Sequence, residues 1–212
     1  MWYYPLKGSR FFKIEAEGKI ICDEEKNVAE KIRLVEEIKI TDEILDVLVK
    51  SEEWNTRIEV ASYGRQKDLD ILINDEESVV RKEVAIYGYD KHLDVLVNDK
   101  DARVRYEVAR HGREEDLDIL VYDEHADVRA RVARHGRPQD LDILVHDADW
   151  CVRSEVAEKG RPQDLDILVH DEDSMVRFYV AKQGREKDLK ILEKDKDIAV
   201  RRKVKRIMEG LE

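Results

Sequence analysis

One feature constrains this chain more than any other: it repeats itself every 24 residues. Glycine returns at Gly64, Gly88, Gly112, Gly136, Gly160 and Gly184. Arginine returns at Arg57, Arg81, Arg105, Arg129, Arg153, Arg177 and Arg201, and aspartate at Asp75, Asp99, Asp123, Asp147, Asp171 and Asp195. Apolar columns run between these anchors, as in Val128, Val132 and Ala133, then Leu141, Ile143, Leu144 and Val145. A unit of this size cannot bury a core alone, so its stability has to come from stacking on its neighbours.

The unit also dictates its own local structure. Val128, Val132 and Ala133 stand at i, i+4 and i+5 and make one helical stripe apolar. Gly136 follows that stripe, where a left-handed residue closes a helix at least cost. Pro138 and Pro162 come next, at a first helical position where a missing N–H goes unnoticed. Leu141, Leu144 and Val145 then define a second, shorter helix. Asp101, Asp149, Asp173 and Asp197 lie four residues before the repeat arginine and are the expected N-caps of the following long helix. Each unit therefore reads helix, tight turn, helix, tight turn.

Counting back by 24, Leu45 to Val49 match Leu69 to Ile73, so seven helix pairs are expected over residues 41–212. A degenerate half-unit is expected near 27–40. The last unit departs from the pattern, with Lys205 in place of alanine and Met208 in place of glycine, as a terminal unit facing water does. Residues 1–26 do not follow the period. Five aromatics (Trp2, Tyr3, Tyr4, Phe11, Phe12) crowd the first twelve positions, and Phe12, Ile14 and Ala16 alternate with charged residues. Residues 1–40 are read as a non-repeat N-terminal cap holding a short hairpin.

Composition narrows the function classes. Of 212 residues, 42% are charged, and the net charge is −11, which argues against a general nucleic-acid coat protein. No apolar run is long enough for a membrane span, and Met1–Gly18 has no signal-peptide core. Only Cys22 and Cys151 are present, too few for a disulfide framework or a four-cysteine metal site. A cytoplasmic protein is the expectation. Eight Asn and Gln residues, amid abundant Glu, Lys, Arg and Ile, resemble a heat-adapted composition and equally the habit of a charged repeat.

The unit from Asp123 to Asp147, DEHADVRARVARHGRPQDLDILVHD, resembles the leucine-rich repeat variant family, a 24-residue relative of the HEAT-type solenoids. The resemblance covers residues 41–212. It implies an all-α, right-handed α-solenoid in which longer helices alternate with shorter or 3₁₀ helices, the long-helix side lining the concave face. Some members carry an iron–sulfur cluster in a cysteine-rich N-terminal domain. This chain has only Cys22 there, so no cofactor is carried over. HEAT-like solenoids include scaffolds, lyases and DNA glycosylases, and the fold does not choose among them.

The charged columns divide by role. A residue needed for one chemical step occurs once, whereas a structural device recurs in every unit. Arg81, Arg105, Arg129, Arg153, Arg177 and Arg201 with Asp75 to Asp195 are therefore read as a ladder bonding loop to helix within or between units. By element, the longer-helix segments sum to +10 and the short-helix segments to −17. Departures from the repeat are where specificity can reside. On the long helices, Tyr87, Tyr106, Arg110, His111, Arg131, Arg134, His135, Phe178 and Tyr179 avoid the apolar stripe, and aromatics and arginines there are typical interface anchors. Trp150 joins them, at a pre-helix position held by Ser, Ala or Ile in the units around it.

No catalytic constellation stands out. There is no Gly-rich phosphate loop and no Gly-x-Ser-x-Gly elbow, and no HExxH or CxxC spacing accompanies the histidines. Trp150 with Asp149, or Tyr179 with Glu155, imitates a glycosylase pocket only loosely. The expected function is a non-enzymatic scaffold or adaptor binding a protein on the concave, long-helix face, through an acidic or mixed surface. The competing expectation is a nucleic-acid-binding or glycosylase-like solenoid. These two diverge on whether Arg110, Arg131, Arg134, Lys182, Arg202 and Arg206 form one continuous basic cleft or are neutralised by intervening glutamates.

Overall fold

The computed structural model describes residues 2–5, 11–14, 20–22 and 41–211. These fall in two compact units, Met1–Val104 and Arg105–Glu212. The first opens with a three-stranded antiparallel sheet, β1 (Trp2–Pro5), β2 (Phe11–Ile14) and β3 (Ile20–Cys22), in that order. Phe12 faces Cys22 across β2 and β3, and Trp2 faces Ile14 across β1 and β2. The half-repeat expected at 27–40, and with it the capping role of 1–40, lies outside the described residues.

Helices then alternate in length. In the first unit they are α1 (Asp42–Leu48), α2 (Trp54–Ser62), α3 (Gln66–Leu72), α4 (Ser78–Tyr87) and α5 (Asp90–Leu96). Helix α6 (Ala102–His111) leads into the second. There follow α7 (Glu114–Leu120), α8 (Ala126–Ala133), α9 (Pro138–Leu144), α10 (Trp150–Lys159) and α11 (Pro162–Leu168). The last are α12 (Ser174–Lys182), α13 (Glu186–Leu192) and α14 (Ile198–Met208). Seven short–long pairs among the described residues make this an α-solenoid. The short members are two-turn α-helices, and no 3₁₀ helix is assigned among the described residues.

The local signals act where the sequence put them. Pro138 and Pro162 open α9 and α11. Asp149, Asp173 and Asp197 cap α10, α12 and α14, accepting from the N–H of Cys151 at 2.8 Å, Met175 at 2.7 Å and Ala199 at 2.7 Å. Asp101 does the same for Arg103 at 2.9 Å. Long helices pack on long helices, α2 on α4 and α8 on α10 on α12 on α14. Val128, Val132, Ala133, Leu141, Leu144 and Val145 are all buried, as are Val152, Val156, Ala157, Leu165, Leu168 and Val169 one unit on. Each such leucine contributes about 1.5–3 kcal/mol of transfer energy.

Candidate interaction face and the ladders behind it

The arginine column is a ladder between units. Arg153 Nε and NH2 donate to the carboxylate of Asp171 at 2.7 and 2.9 Å, in the loop one unit ahead. Its NH1 donates back to the carbonyls of Asp147 and Ala148 at 2.7 and 3.0 Å, in the loop before its own helix. Arg57, Arg81, Arg129 and Arg177 repeat both contacts, with Asp75, Asp99, Asp147 and Asp195 as the carboxylates. Arg105 holds Asp123 at 2.5 Å in the same way. So the residue six before the arginine supplies a carbonyl, Ser51 for Arg57 and an aspartate for Arg81, Arg129, Arg153, Arg177 and Arg201, and the aspartate eighteen residues after supplies the carboxylate for all but Arg201. Each carboxylate also accepts the N–H two residues on, as Asp147 does from Asp149 at 2.8 Å. Burial alone would raise the Asp147 carboxyl, but the Arg129 guanidinium and the Asp149 N–H together hold it below the usual range. Arg201 reaches only the carbonyls of Asp195 and Lys196.

A second ladder, not read from the sequence, joins the short helices. Arg137 precedes α9 and forks onto buried Asp140, three residues on, at 2.7 Å through both Nε and NH2. It also reaches Asp118 of the preceding short helix at 2.8 Å. Arg161 and Arg185 repeat this with Asp164 and Asp142, and with Asp188 and Asp166. Arg65 does so with Asp68 and Asp46, and Arg113 forks onto Asp116. The signal was present as an Arg-x-x-Asp after Gly64, Gly112, Gly136, Gly160 and Gly184, at the same 24-residue period.

One unit breaks this second ladder. Tyr89 and buried His92 stand where arginine and aspartate stand elsewhere. His92 Nδ1 accepts the Tyr89 N–H at 3.0 Å, so Nε2 carries the proton and donates to Asp70 at 2.8 Å. The Tyr89 hydroxyl donates to the Gly64 carbonyl at 3.0 Å. Gly88 here is extended (φ −70°), and a Cβ would lie 2.5 Å from the Val84 carbonyl.

The outer side of the long helices is held differently. Tyr106, Phe178 and Tyr179 are half-buried, and Tyr87 is exposed. Arg131 lies over the Tyr106 ring at 5.9 Å, Lys203 over Phe178 at 5.6 Å and Lys182 over Tyr179 at 5.4 Å. Three cations on this side meet glutamates: Arg110 with Glu107 at 2.7 Å, Arg134 with Glu155 at 2.6 Å, and Lys182 with Glu158 at 2.7 Å. Hydrogen bonding to Glu155 raises the Arg134 guanidinium further above its already high value, and Glu158 does the same for Lys182. The Nε of Arg131 is buried without a hydrogen-bond partner.

The geometry assigns other expected contact residues a place in the frame. His135 donates through Nε2 to the Ala109 carbonyl at 2.7 Å and its ring lies over Gly112, where a Cβ would come within 2.6 Å of it. Lys159 and Gln183, at the equivalent position, donate to the carbonyls of Arg134 and Glu158. His111 is exposed. Trp150 is not a pre-helix residue: it opens α10 and is 42% exposed, as is Trp54, which opens α2 four repeats earlier.

The loosely pocket-like pairs hold carboxylates that are already engaged. Asp149 caps α10, and Glu155 accepts from Arg134. Burial raises the Cys151 thiol above its ordinary value, with Asp149 adding to the shift, so it is a poor nucleophile. Among the described residues no three His, Cys, Asp or Glu side chains are grouped as a metal site.

No protein-family profile matches this chain, and no curated protein does. Among solved structures it is similar to a leucine-rich repeat variant with a novel repetitive structural motif, at 28% identity and a TM-score of 0.69 over 79% of this chain and 72% of that one. The chain is an α-solenoid similar to that leucine-rich repeat variant. An engineered protein at 17% identity overlaps over 82% of this chain with a TM-score of only 0.30. In this chain the two arginine ladders account for the periodic charges, and the outer long-helix side carries the aperiodic ones. No helix among the described residues is long and apolar enough to cross a membrane.

Proposed function

We propose that this chain is a non-enzymatic protein-binding scaffold, whose outer long-helix side takes an acidic segment of a partner protein around Arg131. The observation that carries the reading is the state of that arginine. Its guanidinium rests on Tyr106 with the Nε buried beneath, leaving the terminal nitrogens to a partner, while the glutamates in line with it, Glu107 and Glu155, are taken by Arg110 and Arg134. A stacked guanidinium is preorganised to receive a carboxylate in two parallel hydrogen bonds. Small neighbours, Ala130 and buried Ser154, leave the side chain approachable between Tyr106 and Phe178. A rigid repeat array meets its ligand with little ordering cost.

The glutamate pairs speak against the nucleic-acid reading. Phosphate binding draws on cations that can release counterions, and Arg110, Arg134 and Lys182 are already neutralised. Affinity capture from native lysate, at low and high salt and with nuclease, tests the proposal. A nuclease-resistant protein, retained by the natural chain and lost with Tyr106→Ala, Arg131→Ala or Phe178→Ala, is the expected result. Recovery of nucleic acid alone, with steep salt dependence, contradicts it.

A further inference from the structure

The short helices of the second unit carry a surface that the long-helix reading does not use. Ile119, Ile143, Ile167 and Ile191 lie there one repeat apart, and each is between 39% and 49% exposed. Helices stacked at about 8–10 Å set the interval between them. Two successive grooves, of about 380 and 350 Å³, run beside this column. Arg153 is in the wall of the first with Ile167, and Arg177 in the wall of the second with Ile191. Both arginines are committed to the inter-unit ladder, so the grooves present fixed floors.

Charge marks what such a row would accept. Segments 114–124, 138–148 and 162–172 contain thirteen Asp and Glu residues and no Lys or Arg. The ladder arginines engage several, Glu124 at 3.3 Å from Arg105 and Glu172 at 3.7 Å from Arg153 among them, yet these two loop-tip glutamates keep 86% and 87% of their side chains in solvent. Asp118 and Asp142, on the helices beside the isoleucines, each give one oxygen to Arg137 or Arg161 of the second ladder and are still 66% and 65% exposed. The surface thus alternates an aliphatic wall with a carboxylate at a spacing of one repeat.

We propose that this short-helix side is a second docking surface, and that its occupant is an extended, polyproline-type segment of another protein with lysine or arginine at every third residue. A polyproline II helix rises about 3.1 Å per residue with three residues per turn, so one edge recurs every ~9.3 Å, within the interval of the stacked helices. A β-strand presents the same edge every ~6.6 Å and an α-helix every ~5.4 Å, and neither keeps step with the repeat. Lysine and arginine suit both halves of the surface, because the aliphatic stem lies along isoleucine while the charged head reaches the carboxylate. The long-helix proposal is independent of this one, since the two use no residue in common.

The test is fluorescence polarisation of labelled peptides with the full chain. The probes are four Lys-Pro-Pro triplets in series, the same composition with its four lysines contiguous, and four Glu-Pro-Pro triplets. The triplet lysine peptide is expected to bind about tenfold more tightly than its contiguous counterpart, and the glutamate peptide not at all. Glu124→Gln with Glu172→Gln should weaken binding several-fold at low salt and less at high salt, as screening predicts. Ile143→Ser with Ile167→Ser should weaken it at every salt concentration, and Arg131→Ala should leave it unchanged. Equal affinity for the two lysine peptides, or no binding by either, overturns the proposal on the natural chain, without reference to any variant. So does an Ile143→Ser, Ile167→Ser chain of unchanged helicity that binds as before.

Discussion

Arg153 and Arg131 sit two residues apart in the repeat frame, in neighbouring long helices, and do opposite things. Arg153 is buried, bonded to the carboxylate of Asp171 and to two carbonyls, and every unit with a following loop has its counterpart. Arg131 is half-buried on a tyrosine ring with its Nε unmatched, and the same position holds glutamate, tyrosine or lysine in other units. The same side chain is a rivet in one register and an open contact in the other. What separates them is recurrence. A column repeated in each unit is answered by a repeated partner, whereas an isolated residue has nothing in the repeat to answer it.

The largest effect should come from removing a rivet. Arg153→Ala leaves the Asp171 carboxylate, 7% exposed, without its guanidinium and frees the Asp147 and Ala148 carbonyls. Breaking a buried pair of this kind costs about 3–5 kcal/mol, readable as a lower midpoint in urea denaturation. Arg153→Lys should recover only part of it, because an ammonium cannot fork onto Asp171 while also holding two carbonyls.

Next come the glycines, which divide the frame from its fittings. Gly64 and Gly112 both have positive φ, at 68° and 77°, but only Gly112 lies against a neighbouring side chain, the His135 ring. Gly64→Ala should cost about 1–2 kcal/mol for the left-handed conformation alone. Gly112→Ala should cost more by thermal melting, and His135→Ala in the same chain should bring it back towards the Gly64→Ala value.

Acid sharpens the comparison through its carboxylates. Arg103 and Ser78 hold the Asp101 carboxyl far below the usual range, and Asp195, though raised by burial, is brought below it by Arg177 and the Asp197 N–H. Groups lowered in the folded state stabilise it fully above the unfolded value of about 3.9 and lose that contribution as pH falls towards the folded one. Denaturation midpoints should therefore be flat with respect to these groups from pH 8 to 5 and fall below about pH 4. Arg177→Ala, which removes the guanidinium that brings Asp195 down, should flatten part of the acid limb. At the small end, Arg134→Ala removes a half-exposed pair with Glu155 and should change stability by less than about 1 kcal/mol.

How much of this was legible follows the same division. The helix pairs, the N-cap aspartates, the prolines opening α9 and α11 and the first ladder all recur, and a single chain with seven copies states such a rule many times over. The second ladder recurs too, as Arg137 and Asp140 do in Arg-x-x-Asp, but as adjacent surface-type residues they gave no hint that the aspartate is buried. Ile143 was counted with the apolar columns. In a seven-residue helix Leu141, Leu144 and Val145 share one side, and a residue two after Leu141 is carried round to the other. The pairing of Arg134 with Glu155 and of Arg110 with Glu107 was not legible. It depends on which of several neighbours a long side chain reaches once the helices are stacked, and no column repeats it.

The most direct measurement is the urea-denaturation midpoint of Arg131→Ala beside that of Arg153→Ala. If Arg131 is a contact held ready for a partner, its removal should leave stability within about 1 kcal/mol of the natural chain, the scale of one exposed cation–π contact, while Arg153→Ala falls by several times as much. A loss for Arg131→Ala equal to that for Arg153→Ala would make Arg131 one more structural rivet, and the distinction between the repeating ladder and the open face would fail.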